Sequence, residues 1–131
     1  MKDFENWYNA LNKPSWTPDA SVIGMIWTIL YPVIFVVDFF VIKMLVAKEI
    51  SFLVALPFFI NLLANFSFTP IQFGLRNLDL ALVDIVVVFV TIVWSMIAIW
   101  PHNKALALAF IPYLVWVATA SVLQASITFS N

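Results

Sequence analysis

Charged side chains are missing from long stretches of this chain, and that gap decides what it can fold into. Residues 50–75 and 105–131 hold no Asp, Glu, Lys or Arg. Charged residues make up 10% of the whole, whereas 64% are hydrophobic. A soluble domain carries about 25% charged residues. So little polar side chain cannot cover a water-facing surface, and the solvent around most of the molecule must be lipid. The net charge of -1 offers no basic field to hold a nucleic acid.

The charges that exist divide the chain. Five of them (Lys2, Asp3, Glu5, Lys13 and Asp19) fall in residues 1–20, where Phe4, Trp7, Tyr8 and Leu11 recur at helical spacing. An aromatic face of this kind suits a segment lying at the membrane interface. Pro14 and Pro18 then bracket Ser15-Trp16-Thr17 as a stiff turn. Four apolar stretches follow, at about 21–47, 51–73, 78–100 and 105–128, each near the ~20 residues a spanning helix needs. Continuous apolar runs, rather than alternation, disfavour a β-barrel. The expected fold is an all-α membrane protein, one domain over residues 1–131. It has four transmembrane helices behind an interfacial amino-terminal segment, with both ends on one side. Lysines and arginines divide three against three between the two sides and leave the orientation open.

In lipid, polar side chains mark the faces that turn inward. Trp27, Tyr31 and Asp38 fall within about 40° of one another on the first span at 100° per residue. Asn61, Asn65, Phe68 and Gln72 share a strip about 60° wide on the second. Asp84, Thr91 and Ser95 line the third, and Tyr113, Trp116, Ala120 and Gln124 the fourth. Four converging stripes would enclose a cavity walled by rings with a few polar anchors, the usual form of a site for a flat apolar molecule. Simpler readings stand beside this one. Trp16, Trp94 and Trp100 read as interfacial aromatics, and Asn61 and Asn65 equally suit glue between helices. Asp38 and Asp84 must sit near water, find a donor or stay protonated.

Classical enzyme chemistry has little to build on. The chain has no cysteine, one histidine (His102, in a polar turn) and two glycines, Gly24 and Gly74. That excludes thiol catalysis, iron–sulfur clusters, an ordinary zinc site and a Gly-rich phosphate loop. Any catalysis would come from rings, carboxylates or the ligand itself.

Several motifs together resemble the TspO/MBR family, the tryptophan-rich sensory proteins and translocator (peripheral benzodiazepine receptor) proteins. They are Lys13-Pro14-Ser15-Trp16-Thr17-Pro18, Gly24-Met25-Ile26-Trp27, Asn61-x-x-x-Asn65-x-x-Phe68, Ala81-Leu82-Val83-Asp84 and Ile111-Pro112-Tyr113-Leu114-Val115-Trp116. The resemblance implies a dimeric helical receptor of the membrane, here a prokaryotic cell membrane, with the Trp-x-Pro loop as a lid. The implied ligand is a porphyrin such as protoporphyrin IX, with no cofactor required, and some members degrade it in light. The resemblance assigns that chemistry to Tyr8, Trp27, Phe68 and Trp116, with Trp27 and Trp116 as the photochemical pair. Tyr31, Asn65 and Tyr113 complete the expected ligand contacts. Family members have five spans, and this chain begins at the lead-in to their second, so the expected pocket lacks one wall. Asp19 replaces the usual second proline of the lid, and no L/V-x-Y-x-K/R run supports cholesterol binding. The alternatives are a non-catalytic regulator or scaffold, or a small transporter of hydrophobic ligands.

Overall fold

The computed structural model describes residues 10–131, and among these every regular element is helical. Helix α1 is Ala20–Val46, α2 is Phe52–Thr69, α3 is Leu78–Ile99, α4 is Lys104–Ala109 and α5 is Ile111–Ser130. Four helical segments are long and apolar enough to cross a membrane: Ser21–Val46, Phe52–Gln72, Leu78–Ile99 and Lys104–Ser130. The chain is an all-α, multi-pass membrane protein.

Prolines explain where the helices depart from regularity. Pro70 has no N–H to give to the carbonyl four residues back, and Pro70–Gly74 forms a π-helical turn instead. Leu75 N–H then donates to Pro70 O at 3.0 Å, one residue further back than in an α-helix. Pro112 acts in the same way on the last span. It sits in the first turn of α5, where a missing donor costs nothing, and the joint falls at Phe110. The fourth apolar stretch, read from sequence as one unbroken helix, is therefore α4 and α5 in series.

The helix ends are built from local polar chemistry. Asn77 and Asn103 cap α3 and α4 by accepting from Leu80 N–H and Leu106 N–H. Helix α1 closes with Glu49 N–H on Met44 O at 2.8 Å and Lys48 N–H on Leu45 O at 3.1 Å. This is a Schellman motif, which demands a left-handed residue. Lys48, at φ 61°, takes that place without being glycine.

Helices α2 and α3 pack along their length, α5 packs against α3, and α1 leans more lightly on α2, α4 and α5. The shared core includes Ile34, Val41, Phe58, Ile85, Ile92, Phe110 and Val117, whereas Ile29, Phe39, Leu63, Val83, Ile97 and Val115 face outward to lipid. At one end the segment before α1 is pinned to the end of α5. Asn12 N–H donates to Asn131 Oδ1 and Asn131 Nδ2 to Asn12 O, both at 3.1 Å. Leu11 packs there against Leu123 and Ile127.

With no native cysteine, single cysteines in place of Lys13, Lys48 and Asn131 report topology without background. A membrane-impermeant thiol reagent should label positions 13 and 131 from one side of sealed vesicles and position 48 from the other. Labelling of all three from one side would refute the four-span topology.

Candidate functional site

One continuous hydrogen-bond chain joins four helices. Tyr31 of α1 donates its hydroxyl proton to Asn65 Oδ1 of α2 at 3.0 Å. Asn65 Nδ2 donates to the Tyr113 hydroxyl oxygen of α5 at 2.6 Å. Tyr113 in turn donates to Asn61 Oδ1 at 3.2 Å. Asn61 Nδ2 finishes the run on α3, at 3.0 Å from Thr91 Oγ1 and 3.2 Å from Val88 O. The spacing of Asn61 and Asn65, one helical turn apart, lets both face Tyr113. Asn61 is 1% exposed, Asn65 5% and Tyr113 0%. No neighbouring molecule is needed to cover the asparagines.

Above this chain lies a cavity of about 330 Å³, at the end of the bundle where the segment before α1 meets α5. Helix α1 contributes Ile23, Gly24, Trp27 and Tyr31, and the α2 end contributes Asn65, Phe68, Thr69 and Gln72. Helix α5 supplies Trp116, Ala120, Leu123, Gln124 and Ile127, and α3 supplies Ile85. Trp27 and Tyr31, a turn apart, hold their ring centroids 5.3 Å from each other. Trp27 also rests edge-on against Tyr113 at 6.3 Å. Gly24 leaves open space, because a Cβ there would meet nothing within 4 Å.

Two buried polar atoms on the cavity wall have no hydrogen-bond partner, Gln72 Oε1 and Trp116 Nε1. One is an acceptor and the other a donor. Unmet polar groups in an apolar setting cost about 1–3 kcal/mol each.

Of the residues singled out in the sequence, the structure brings Trp27, Tyr31, Asn65, Phe68 and Trp116 together on the cavity wall. Tyr113 is not on that wall. It lies beneath, with its hydroxyl fully used by the two asparagines. Tyr8 lies outside the described residues. Asp38 is 8% exposed, with neither carboxyl oxygen bonded, and Asp84 is half-buried with Oδ2 unbonded; neither lines the cavity. The apolar lining residues Ile23, Leu123 and Ile127 escaped the sequence reading, because an apolar side chain in a lipid-spanning helix carries no signal of its facing. Gly24 carried one, as one of two glycines in the chain.

The family model for the TspO/MBR family matches residues 1–130. The chain belongs to the TspO/MBR family. Among TspO/MBR relatives, the "Uncharacterized membrane protein YtaB" of Bacillus subtilis (strain 168) is 33% identical, over 97% of this chain and 81% of that protein. The "Tryptophan-rich protein TspO" of Bacillus cereus is 36% identical, over 95% of this chain and 80% of its own length. The "Translocator protein" of Homo sapiens is 33% identical, over 90% and 70% respectively.

In this TspO/MBR chain the floor of the cavity should also be its stability determinant. Tyr113→Phe removes one hydroxyl and two hydrogen bonds while keeping the ring. Interhelical hydrogen bonds in membranes are worth about 0.6–2 kcal/mol each, so a loss of about 1–4 kcal/mol is expected in reversible detergent unfolding. Thr119→Val is the comparison, because its hydroxyl only returns to Val115 O within α5, and it should change stability little. Equal effects of the two substitutions would remove the chain from its structural role.

Proposed function

We propose that this protein binds a flat, mostly apolar ligand of the tetrapyrrole class, such as protoporphyrin IX, in the cavity between Trp27 and Trp116. The observation that carries this reading is the wall itself. Two indoles from different helices share one cavity with Phe68 and Tyr31, and the same wall holds an unpartnered donor and an unpartnered acceptor. Aromatic faces reward a flat conjugated ring. A tetrapyrrole such as protoporphyrin IX also carries carboxylates on one edge, which can accept from the Trp116 N–H. The volume is at the lower end of the ~300–1,000 Å³ typical of small-molecule sites, which suits a macrocycle inserted by one edge. Light-dependent loss of the bound porphyrin is the further activity proposed, with the indoles of Trp27 and Trp116 as electron donors.

The setting proposed is a prokaryotic cell membrane, and the assembly a homodimer through lipid-facing surfaces, as the family resemblance implies. The dimer does not rest on Asn61 and Asn65, which are satisfied within one chain. Sedimentation or mass measurement in mild detergent should give twice the monomer mass. A monomer that keeps full ligand affinity would refute it.

Binding is tested by titrating protoporphyrin IX fluorescence against the protein in nanodiscs. Trp116→Phe keeps an apolar ring, so folding should survive while affinity falls by about 1 kcal/mol, the worth of an aromatic pairing beyond its area. Absorbance loss under illumination should fall much further, since phenylalanine is the poorer electron donor. Trp94→Phe, on the exposed side of α3, should leave both unchanged. Equal small effects at positions 94 and 116 would favour the scaffold reading, in which polar stripes only hold helices together.

A further inference from the structure

A second cavity, of about 460 Å³, lies at the opposite end of α1 from the indoles. Its α1 wall is Phe40, Lys43, Met44 and Ala47, an i, i+3, i+4, i+7 stripe. At 100° per residue, Lys43 and Ala47 point roughly 140–180° away from Asp38. The stripe therefore lies on the outer side of the helix, with Phe40 42% exposed. The rest of the wall is Glu49, just past the end of α1, with His102 and Asn103 from the turn between α3 and α4.

The charges in this cavity are of both signs and are not spent on each other. Lys43 belongs to the last turn of α1, where the helix dipole favours a cation. Phe40 and Lys43, three residues apart, line the same cavity, and a lysine near the end of a span extends its ammonium toward the headgroups. Glu49 is held next to Met44 by its own backbone bond to Met44 O. No ion pair joins Lys43 to Glu49 among the described residues. Asn103 commits its side-chain oxygen to Leu106 N–H, leaving its amide N–H groups as donors. Of the other cations nearby, Lys48 and Lys104 do not line the cavity, and Lys104 is drawn onto the Trp100 ring at 5.4 Å.

From this we infer that the cavity is a lipid site for the phosphatidylethanolamine headgroup. The phosphate would sit against Lys43, His102 and the Asn103 amide, the primary ammonium against Glu49, and an acyl chain along Phe40 and Met44. The charge pattern is that of a zwitterion with a hydrogen-bonding cation. A choline headgroup cannot donate hydrogen bonds to Glu49, and a glycerol headgroup brings no positive charge to it. This site is independent of the indole cavity and of what that cavity binds.

The test is native mass spectrometry of the full chain, exchanged into detergent with equal amounts of phosphatidylethanolamine, phosphatidylcholine and phosphatidylglycerol. The wild type should retain phosphatidylethanolamine preferentially. Lys43→Gln should lower retention of phosphatidylethanolamine and phosphatidylglycerol alike by about fivefold, the worth of one basic side chain at a membrane surface. Glu49→Gln should abolish the preference for phosphatidylethanolamine over phosphatidylglycerol while still retaining lipid. Lys104→Gln should leave the preference intact. The exposed positions of these side chains allow folding to be checked by helical circular dichroism in each variant. Equal retention of the three lipids by the wild type would overturn the inference, as would an unchanged preference in Glu49→Gln. Displacement by soluble glycerophosphoethanolamine at matched concentration would overturn the lipid assignment in favour of a free phosphoethanolamine.

Discussion

A hydrogen bond buried in hydrocarbon has no water to replace it, and the rest of this bundle depends on that fact. The run from Tyr31 through Asn65, Tyr113 and Asn61 to Thr91 crosses α1, α2, α5 and α3 with every side-chain nitrogen and oxygen along it bonded. Each bond contributes little, about 0.6 kcal/mol on average by measurement in membranes. An orphaned group in the same place costs several kcal/mol. The chain thus works less by attraction than by penalising every other register of the helices. A one-residue slip of α2 would carry both asparagines about 100° around the axis and strand four polar groups at once.

That constraint also separates the two halves of the molecule. Below the chain, Phe58, Phe110 and Tyr113 pack ring against ring at centroid distances of 5.6 and 5.3 Å. Above it the helices part, α1 packs only lightly, and the aromatic cavity opens. Tyr113 belongs to both halves. Its hydroxyl closes the polar chain, while its ring edge supports Trp27 from underneath. The saturation holds for this run and not for the whole interior, since both oxygens of Asp38, the hydroxyl of Ser95 and the cavity atoms Gln72 Oε1 and Trp116 Nε1 are buried and unbonded.

Much of this was legible in the sequence because a bilayer leaves polar side chains only one way to face. The gaps between charges marked the four spans, and the spacing of Asn61, Asn65, Thr91 and Gln124 marked the faces that are buried. What the residues could not disclose was relative height. Tyr113 and Trp116 share a helix face, yet one is floor and the other wall, and only the heights at which neighbouring helices pack decide which. The break at Phe110 was hidden for a different reason. Pro112 is as acceptable in the first turn of a new helix as in a kink of an old one, so its presence alone did not announce a joint. The apolar lining was hidden most completely, because in lipid Ile23 and Ile127 are equally at home inside or out.

The position of the cavity along the helices has a consequence for traffic. On α1 its lining runs from Ile23 to Tyr31, about 12 Å of helix, and the hydrogen-bonded floor closes it there. On α5 the lining runs from Trp116 to Ile127, about 16 Å, so the cavity takes up about half of a hydrocarbon core about 30 Å thick. Whatever enters therefore arrives from one leaflet, or from the water beside it, on the side where Asn12 meets Asn131. A molecule dissolved in the opposite leaflet has to cross the bilayer first, and its occupancy of this protein then follows its own flip-flop rate.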